Sequence, residues 1–323
     1  MLFSPNSTLK VYSKPLGQSP IYFSRFRLQP RNNDNAIVQT IWYTCLMIID
    51  GKLIAHDIKT RLKGITSERD PRLSLGIVVT HETPAIRQFA TLKESFGKSI
   101  GVTTEILKLG PFEQKNEHLL QLIMHSTRKF DGIVLQLPIA PTFLLDNILN
   151  IFPLTHDVDV LGNTAYQQFK EGNLPFLPPV VGAFAEILSR SKIKLAGKKV
   201  LVIGQGRLVG GPAAVWARRL GAVVTVATKE TVNLATLTQQ AEVIVLGAGN
   251  PGLLRPDMIQ EGVIILDAGS GEVAGVVQGD ADQACAEKSA LFTPTPGGVG
   301  PVTVSKLFEN LVALREITHP HAL

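Results

Sequence analysis

From residue 47 onward, short apolar runs alternate with longer amphipathic stretches. The apolar runs at 73–79, 103–109 and 131–137 predict three buried strands. The amphipathic stretches at 84–100 and 113–126 predict helices between those strands. Strands that alternate with helices in this way predict a parallel sheet with helices packed on its faces.

A second series of the same kind begins after a proline-rich passage at 175–179 and a predicted helix at 182–190. It contains a helix that ends near Leu220 and four predicted strands, at 199–204, 223–228, 242–247 and 262–267. The two series predict an α/β protein of two domains, with a boundary near 165–180 and a Rossmann-type second domain.

Charge is unevenly distributed, which bears on the class of partner. The net charge is +5. Residues 1–46 carry five basic residues and one acid and so hold +4 of it, which leaves +1 on the remainder. A nearly neutral body has no positive face for a phosphate backbone, so no nucleic-acid partner is expected.

Metal and membrane sites are not indicated. The sequence contains two cysteines, Cys45 and Cys285, and no close His/Cys pair, which predicts a reducing compartment and no metal site. Proline and glycine interrupt the uncharged run 289–305, and the run 35–49 is too short to span a bilayer.

The amino-terminal extension 1–46 differs in composition from the rest of the chain, and three origins are open. It is sequence upstream of a true start at Met47, an organellar transit peptide, or a private extension. We favour the first, because a regular domain pattern begins at Met47. The extension is expected to be disordered or not native, and the protein cytoplasmic, or organellar if the extension is a transit peptide.

A glycine-rich turn follows the strand at 199–204. Gly204 permits a tight turn, and Gly206 lets the backbone approach a pyrophosphate at the amino terminus of the next helix. The third glycine, Gly210, is one residue later than in the common fingerprint, and Val209 occupies the usual place. The strands that follow favour a dinucleotide site over a turn that serves packing alone. The same turn supplies Gln205 and Arg207 as further candidates.

Glu230 ends the second strand of this series. An acid at that point accepts hydrogen bonds from ribose hydroxyls and repels a 2′-phosphate, which favours NAD. A solvated carboxylate paired with Lys229 is the alternative.

The most specific stretch is TPTPGGVGPVTVSKLFEN at 293–310, which resembles the carboxy-terminal signature of the methylenetetrahydrofolate dehydrogenase/cyclohydrolase family. Further segments match in order across about 47–318: MIIDGKLIA at 47–55, DGIVLQLP at 131–138, HDVD at 156–159, Asp267-Ala-Gly269 and Gly279-Asp280.

The family's catalytic helix carries a Tyr and a Lys one turn apart after Asn-Pro-Ala. The corresponding stretch here reads Thr83-Pro84-Ala85, then Phe89 and Lys93. The i, i+4 spacing places both side chains on one face of a helix. Without the surrounding motifs, a core Phe89 and a solvated Lys93 would be the simpler interpretation.

The resemblance implies a role for each matched residue. Lys93 is the cyclohydrolase group, Gln136 orients it, Asp159 binds the pterin, and Phe89 stacks on the folate ring. The implied substrate loop consists of Gly297, Gly298, Val299, Gly300 and Pro301. The implied cofactor-binding set is Gly204, Gln205, Gly206, Arg207, Val209, Gly210, Glu230 and Gly269.

The resemblance also implies an activity and an assembly. The activity is oxidation of 5,10-methylenetetrahydrofolate with NAD or NADP, followed by hydrolysis of the methenyl product to 10-formyltetrahydrofolate, in a homodimer. The implied domains are a folate domain at 47–165, completed by a helix at 302–315, and a nucleotide domain at 166–300. The family expectation for the cofactor is NADP, whereas Glu230 favours NAD.

Departures from the family pattern cluster at the expected sites. Phe89 replaces Tyr, Ile86 replaces Ser, 178–181 reads Pro-Pro-Val-Val, and 204–206 reads Gly-Gln-Gly in place of Gly-Arg-Ser. Two other functions therefore stay open: a dehydrogenase of another small substrate, and a weakened folate- or nucleotide-binding protein.

Overall fold

The computed structural model describes residues 21–23, 46–67, 72–110 and 115–319. In the first half these are β1 (Ile21–Phe23), β2 (Met47–Ile49), α1 (Gly51–Ser67), β3 (Ser74–Val79), α2 (Pro84–Ser99), β4 (Thr103–Lys108), α3 (Asn116–Ser126), β5 (Gly132–Leu135), α4 (Leu145–Ile151) and α5 (Asn163–Glu171). In the second half they are α6 (Pro179–Arg190), β6 (Lys199–Ile203), α7 (Gly210–Arg219), β7 (Val223–Ala227), α8 (Leu234–Gln240), β8 (Val243–Leu246), β9 (Val263–Asp267), β10 (Gly271–Val273), β11 (Val276–Gln278), β12 (Ser289–Phe292) and α9 (Val299–Thr318).

The first sheet has three parallel strands in the order β4-β3-β5. Its strands lie within two residues of the bounds that the apolar runs predict. Helix α2 begins where expected, because the Thr83 hydroxyl accepts a hydrogen bond from the Ile86 N–H at 3.2 Å and Pro84 needs no donor in the first turn. The beginning of the helix expected at 113–126 lies outside the described residues.

The second sheet has seven strands in the order β1-β2-β12-β9-β8-β6-β7. All neighbours from β2 to β7 run parallel, and β1 pairs antiparallel with β2 at the other edge. The carboxyl ends of β6, β7 and β8 therefore meet at one edge, which is where an open parallel sheet binds its ligands.

The strand at the start of the folate domain is a correction to the expected domain division. Strand β2 belongs to the second sheet, where Met47 pairs with Leu291 and Ile48 with Phe292 of β12. A three-residue apolar strand can make its backbone hydrogen bonds to any open sheet edge. Its own sequence therefore does not determine which sheet it joins. Residues 21–23 of the extension pair with this strand, and the rest of the extension, apart from Leu46, lies outside the described residues.

Helix α9 returns from the second sheet to the first and packs against α1 and α6. It begins three residues before the predicted start at 302, because 299–301 already form its first turn. A methyl group built on Gly132 of β5 would lie 2.6 Å from a Leu311 methyl carbon, so the helix packs directly on that strand. The Asn310 amide donates to the carbonyl oxygens of Val158 at 2.9 Å and Leu177 at 2.8 Å.

The described part of the chain shows neither a membrane-spanning helix nor a cluster of metal-ligating side chains. No helix there combines the length and apolar character that a bilayer crossing requires. Among those same residues, no group of three or more His, Cys, Asp or Glu side chains is arranged to hold a metal ion.

Candidate functional site

Lys93 and Gln136 meet between α2 and the end of β5. The Lys93 Nζ donates a hydrogen bond to the Gln136 Oε1 at 2.6 Å. The Gln136 Nε2 donates to the Leu137 carbonyl oxygen at 2.9 Å, which orients the amide so that its oxygen faces the lysine. Gln136 is buried, so its two bonds leave the amide little freedom to turn.

Asp159 reaches the same place from the segment that runs beside β5. That segment is aligned by a parallel bridge between Ile133 and Asp157. Burial lowers the pKa of Lys93, and the Asp159 charge partly offsets the shift. Burial likewise raises the pKa of Asp159, and Lys93 offsets that shift. The charges of Lys93 and Asp159 therefore influence each other, and Lys93 is in direct contact with Gln136.

Asp157 has a different task from Asp159. It is fully buried, and its two carboxylate oxygens accept hydrogen bonds from the N–H groups of Leu161 at 3.0 Å and Gly162 at 2.8 Å. Burial raises the pKa of Asp157 to about 7. Its carboxylate is used within the chain, and it shapes the turn that carries Asp159.

Val160, next to Asp159, has a φ of 56°. This left-handed conformation is unfavourable for a β-branched residue and persists only where the surroundings enforce it. Val160 is also buried, so its side chain holds the turn in the core. No signal in the sequence marks this position, because valine predicts extended backbone.

Phe89 lies one turn before Lys93 on α2 and is partly buried. Ile86, by contrast, packs into the core. The replacement of a polar residue at position 86 thus adds apolar packing rather than a group at the site.

The expected substrate loop divides into two parts. Gly297 has a φ of 104° and has no side chain. Its carbonyl oxygen accepts a hydrogen bond from the Gly51 N–H at 2.9 Å. Gly300 and Pro301 lie in the accessible first turn of α9. The Val299 side chain is buried in the core, which leaves its backbone for contact with a ligand. Gly298 is buried as well.

The glycine-rich turn after β6 has the shape that a dinucleotide needs. Gly204 has a φ of 98°, and a Cβ there would lie 2.5 Å from the Gly247 carbonyl oxygen. A Cβ on Gly210 would lie 2.0 Å from the Gly204 carbonyl oxygen, so Gly210 provides the close approach of helix to strand. Gly206 is exposed and meets no atom closer than 4.0 Å, which leaves room for a pyrophosphate. The turn fits NAD or NADP.

Two other residues of the turn face inward. Val209 packs on Gly247, where a Cβ would lie 2.4 Å from a Val209 methyl carbon. The Arg207 guanidinium donates to the Leu161 carbonyl oxygen from Nε at 3.0 Å and Nη2 at 2.6 Å. It also stacks 4.2 Å from the centre of the Tyr166 ring. These contacts engage the Arg207 side chain within the chain itself. Gln205 is exposed.

Glu230 lies in the turn after β7, at the same edge as the glycine-rich turn. It is exposed, and the Thr228 hydroxyl donates to its Oε2 at 2.5 Å. This bond and the nearby Lys229 ammonium lower the pKa of Glu230. A fixed negative charge therefore stands after the second strand of the domain, where an adenosine ribose is recognised.

Gly269 is explained by packing rather than by a ligand. A Cβ there would lie 2.1 Å from the carboxyl carbon of Asp280, and the Gly269 N–H already donates to Asp267 at 2.9 Å. Asp280 in turn accepts hydrogen bonds from the backbone N–H groups of residues 248, 249 and 250. It shapes the turn after β8, beside the glycine-rich turn, and is a structural residue that the sequence analysis did not assign a role.

Fold and site together define a class. A Rossmann-type sheet with a glycine cradle faces a smaller α/β unit that holds a desolvated lysine beside an amide and a carboxylate. This is a two-domain NAD(P)-dependent enzyme.

Comparison with family models matches residues 49–159 to the tetrahydrofolate dehydrogenase/cyclohydrolase catalytic domain and residues 178–319 to its NAD(P)-binding domain. The chain belongs to this family, which confirms the fold class, the enzyme class and the resemblance.

The matches to individual relatives extend over nearly the whole length of each relative. The "Bifunctional protein FolD" of Halothermothrix orenii is 32% identical over 285 residues, which is 83% of this chain and 98% of the relative. The crystal structure of the bifunctional FolD methylenetetrahydrofolate dehydrogenase/cyclohydrolase from Campylobacter jejuni is 30% identical, has a TM-score of 0.78, and covers 84% of this chain and 99% of its own. FolD from Trypanosoma brucei, complexed with NADP cofactor and inhibitor, is 27% identical with the same TM-score, over 84% of this chain and 97% of its own.

Proposed function

We propose that both activities of the family, oxidation of 5,10-methylenetetrahydrofolate and hydrolysis of the methenyl product, take place at the site formed by Lys93, Gln136 and Asp159. The observation that carries the proposal is the 2.6 Å bond between Lys93 and Gln136 beside the Asp159 carboxylate. A binding protein needs no desolvated amine held in this way, whereas a proton-transfer reaction does.

Substrate binding uses groups with fixed positions. Asp159 suits the adjacent N–H donors of a pterin, because a carboxylate accepts two parallel hydrogen bonds. Phe89 offers an apolar ring for stacking on the folate. When bound, the nicotinamide cofactor accepts a hydride from the methylene carbon. For that step the chain supplies position and exclusion of water.

The hydrolytic step requires proton transfer by the chain. Water attacks the methenyl carbon and forms a C–O bond, and one of its protons passes to the neutral Lys93 amine. The resulting ammonium returns a proton to the folate nitrogen as the C–N bond breaks. In the same step the hydroxyl left on the carbon loses its proton to solvent and becomes the formyl C=O, so each turnover releases one proton. Desolvation favours the neutral amine at the start, and Asp159 stabilises the ammonium formed in between.

For the cofactor, we propose NAD as the preferred nucleotide. The exposed carboxylate of Glu230 repels a 2′-phosphate, and the Arg207 guanidinium is engaged by Leu161 and Tyr166. Lys229 is a cation at this edge, and its ammonium lies 3.7 Å from a Glu230 carboxylate oxygen.

A coupled assay tests the proposal. The purified chain is supplied with 5,10-methylenetetrahydrofolate and either NAD or NADP, and both methenyl and 10-formyl products are measured. We expect both products, with a higher kcat/KM for NAD. Cofactor reduction without the 10-formyl product would refute the proposed hydrolase activity. Reduction of the cofactor only with substrates other than 5,10-methylenetetrahydrofolate would refute the proposed folate substrate.

The assembly and the compartment are separate proposals. We propose a homodimer, supported by the family relationship, and light scattering of the purified chain tests it. We also propose a cytoplasmic location, supported by the low cysteine content of the sequence. Mass spectrometry of the native amino terminus, which reports whether residues 1–46 are present or cleaved, tests that location.

A further inference from the structure

The segment 157–162, which carries Asp159, is held from three directions. Asp157 binds the N–H groups of Leu161 and Gly162 from within the segment. Asn310 of α9 donates to the Val158 carbonyl oxygen. The third holder, Arg207, comes from the glycine-rich turn of the nucleotide domain.

Arg207 acts on a single peptide unit. The C=O of Leu161 receives both guanidinium hydrogen bonds, and the N–H on the other side of that same peptide, at Gly162, donates to Asp157. Both polar groups of the unit are therefore bonded, and it cannot turn without losing three hydrogen bonds. Arg207 is thus the one member of this arrangement that belongs to the turn expected to bind a pyrophosphate.

A strained residue, Val160, lies within this segment. Val160 lies between Asp159 and the clamped peptide and holds a left-handed φ of 56°. A strained residue persists only where surrounding contacts over-determine it. Loss of a contact at Leu161 would let Val160 relax toward extended backbone, which would swing the neighbouring Asp159 carboxylate.

Tyr166 gives Arg207 its second anchor and joins the same two units. Its ring lies under the guanidinium, and its hydroxyl oxygen would be 3.0 Å from a Cβ on Gly211, in the first turn of α7. The Gly211 N–H donates to the Gly206 carbonyl oxygen at 3.0 Å and closes the glycine-rich turn. Contacts therefore run without a break from the glycine-rich turn through Tyr166 and Arg207 to segment 157–162.

We propose that Arg207 is a positioning residue that couples the two binding sites: nucleotide bound at the glycine-rich turn fixes Arg207, which fixes segment 157–162 and with it Asp159. The proposal rests on the proposed function, because it takes Asp159 as the pterin-binding group. Coupling of this kind is reciprocal, so nucleotide must tighten folate binding by the same factor by which folate tightens nucleotide binding.

The chain offers a matched control in Arg219, at the other end of α7. Its guanidinium also donates to a backbone carbonyl, that of Phe169 in α5, at 2.9 Å, and lies 5.9 Å from the Phe169 ring. Like Arg207, Arg219 thus bonds a backbone carbonyl and lies near an aromatic ring, but it joins α7 to α5, away from both the glycine-rich turn and segment 157–162. Removing it costs comparable packing without touching the proposed coupling.

The test measures tetrahydrofolate binding by anaerobic calorimetry, alone and with saturating NAD or NADP. Tetrahydrofolate lacks the methylene carbon, so no oxidation follows. We expect nucleotide to tighten tetrahydrofolate binding in the unmodified chain by about fivefold or more. In Arg207→Met the factor should fall to within about twofold of one. Arg207→Lys should restore part of it, since an ammonium can donate to Leu161 but cannot form the planar pair of bonds. Arg219→Met should keep the full factor.

The outcomes separate the two levels of inference. An unchanged coupling factor in Arg207→Met, an equal loss in Arg219→Met, or no coupling in the unmodified chain overturns the role of Arg207 and leaves the proposed function standing. If tetrahydrofolate does not bind the unmodified chain, the proposed function is overturned and this inference with it. Tyr166→Leu, which removes the ring under the guanidinium and leaves Arg207 itself in place, supplies the same readout should Arg207→Met fold poorly, and it should lower the factor as well.

Discussion

The Lys93 ammonium and the Gln136 amide oxygen, 43 residues apart in the chain, lie 2.6 Å apart in the structure. The contact needs a helix that crosses the sheet and a strand that ends beneath it. Its partner bond, from Gln136 to the Leu137 carbonyl, fixes which amide atom faces the lysine.

Replacing Lys93 with methionine should abolish hydrolysis and spare oxidation. Methionine keeps the length and apolar packing of the side chain but carries no proton. Hydrolysis should fall by about a hundredfold or more, the usual contribution of a positioned acid–base group, while dehydrogenase activity stays within about tenfold. Lys98→Met, which changes an exposed lysine on the same helix, is the control. Equal loss of both activities would mean that Lys93 is structural.

The pH dependence of hydrolysis should respond to Asp159. Burial lowers the pKa of Lys93, and the Asp159 charge raises it again. Neutralising that charge in Asp159→Asn should therefore move the rising limb of kcat for hydrolysis to lower pH, even as KM for folate increases. Profiles of kcat at saturating substrate measure the shift. A limb that stays in place would show that another group limits the rate.

Phe89→Tyr should accelerate hydrolysis. The added hydroxyl lies one helical turn from Lys93 and can offer it a second hydrogen-bond partner beside Gln136. One such bond corresponds to an increase of about two- to tenfold in kcat. Steady-state rates of the variant and the parent chain, compared for both reactions, measure the effect. An unchanged rate would show that the missing hydroxyl is not limiting.

Glu230→Ser should raise the ratio of kcat/KM for NADP to that for NAD. The substitution removes the negative charge that faces a 2′-phosphate and leaves Lys229 without its nearest carboxylate. Loss of one exposed repulsive charge corresponds to about five- to tenfold in that ratio at low salt, and less at high salt. Glu261→Ser, which changes an acid in the turn before β9, serves as control. A parent chain that already prefers NADP would refute the assigned role of Glu230.

Asp157→Asn should change how stability depends on pH. The native pKa of Asp157 is raised to about 7 from 3.8, so the native state keeps a proton that the unfolded state releases between those values. The stability that this proton provides is complete below about pH 4 and is lost as the pH rises through about 7, with a slope of about 1.4 kcal/mol per pH unit inside the window.

The variant lacks that slope, and its amide oxygen cannot accept both N–H groups as the two carboxyl oxygens do. Its deficit of about 1–3 kcal/mol at pH 5 should therefore shrink by pH 8. Thermal unfolding of both proteins at the two pH values measures the difference, with the exposed Asp146→Asn as control. A deficit that grows with pH would mean that Asp157 is ionised in the native protein.

The regular elements were largely predictable from the sequence. Apolar periodicity located β3, β4, β6, β7, β8 and β9 to within two residues, and Thr83 with Pro84 marked the start of α2. These features are local: they depend on burial of alternating side chains and on backbone groups within one turn of a helix. Elements without a long periodic pattern, such as α4, α5 and the hairpin of β10 and β11, were missed.

By itself, the sequence determined the parallel α/β class, the glycine turn at 204–210, and the residue types at 89, 93, 136 and 159 that mark the family. The tertiary structure decided what those residues contact. It placed β2 in the second sheet, directed the Arg207 side chain toward Leu161, buried Val299, and forced Val160 into a left-handed conformation. The reason is physical: a strand's choice of sheet edge and a long side chain's choice of partner depend on groups distant in the chain, whose positions only the packed fold sets.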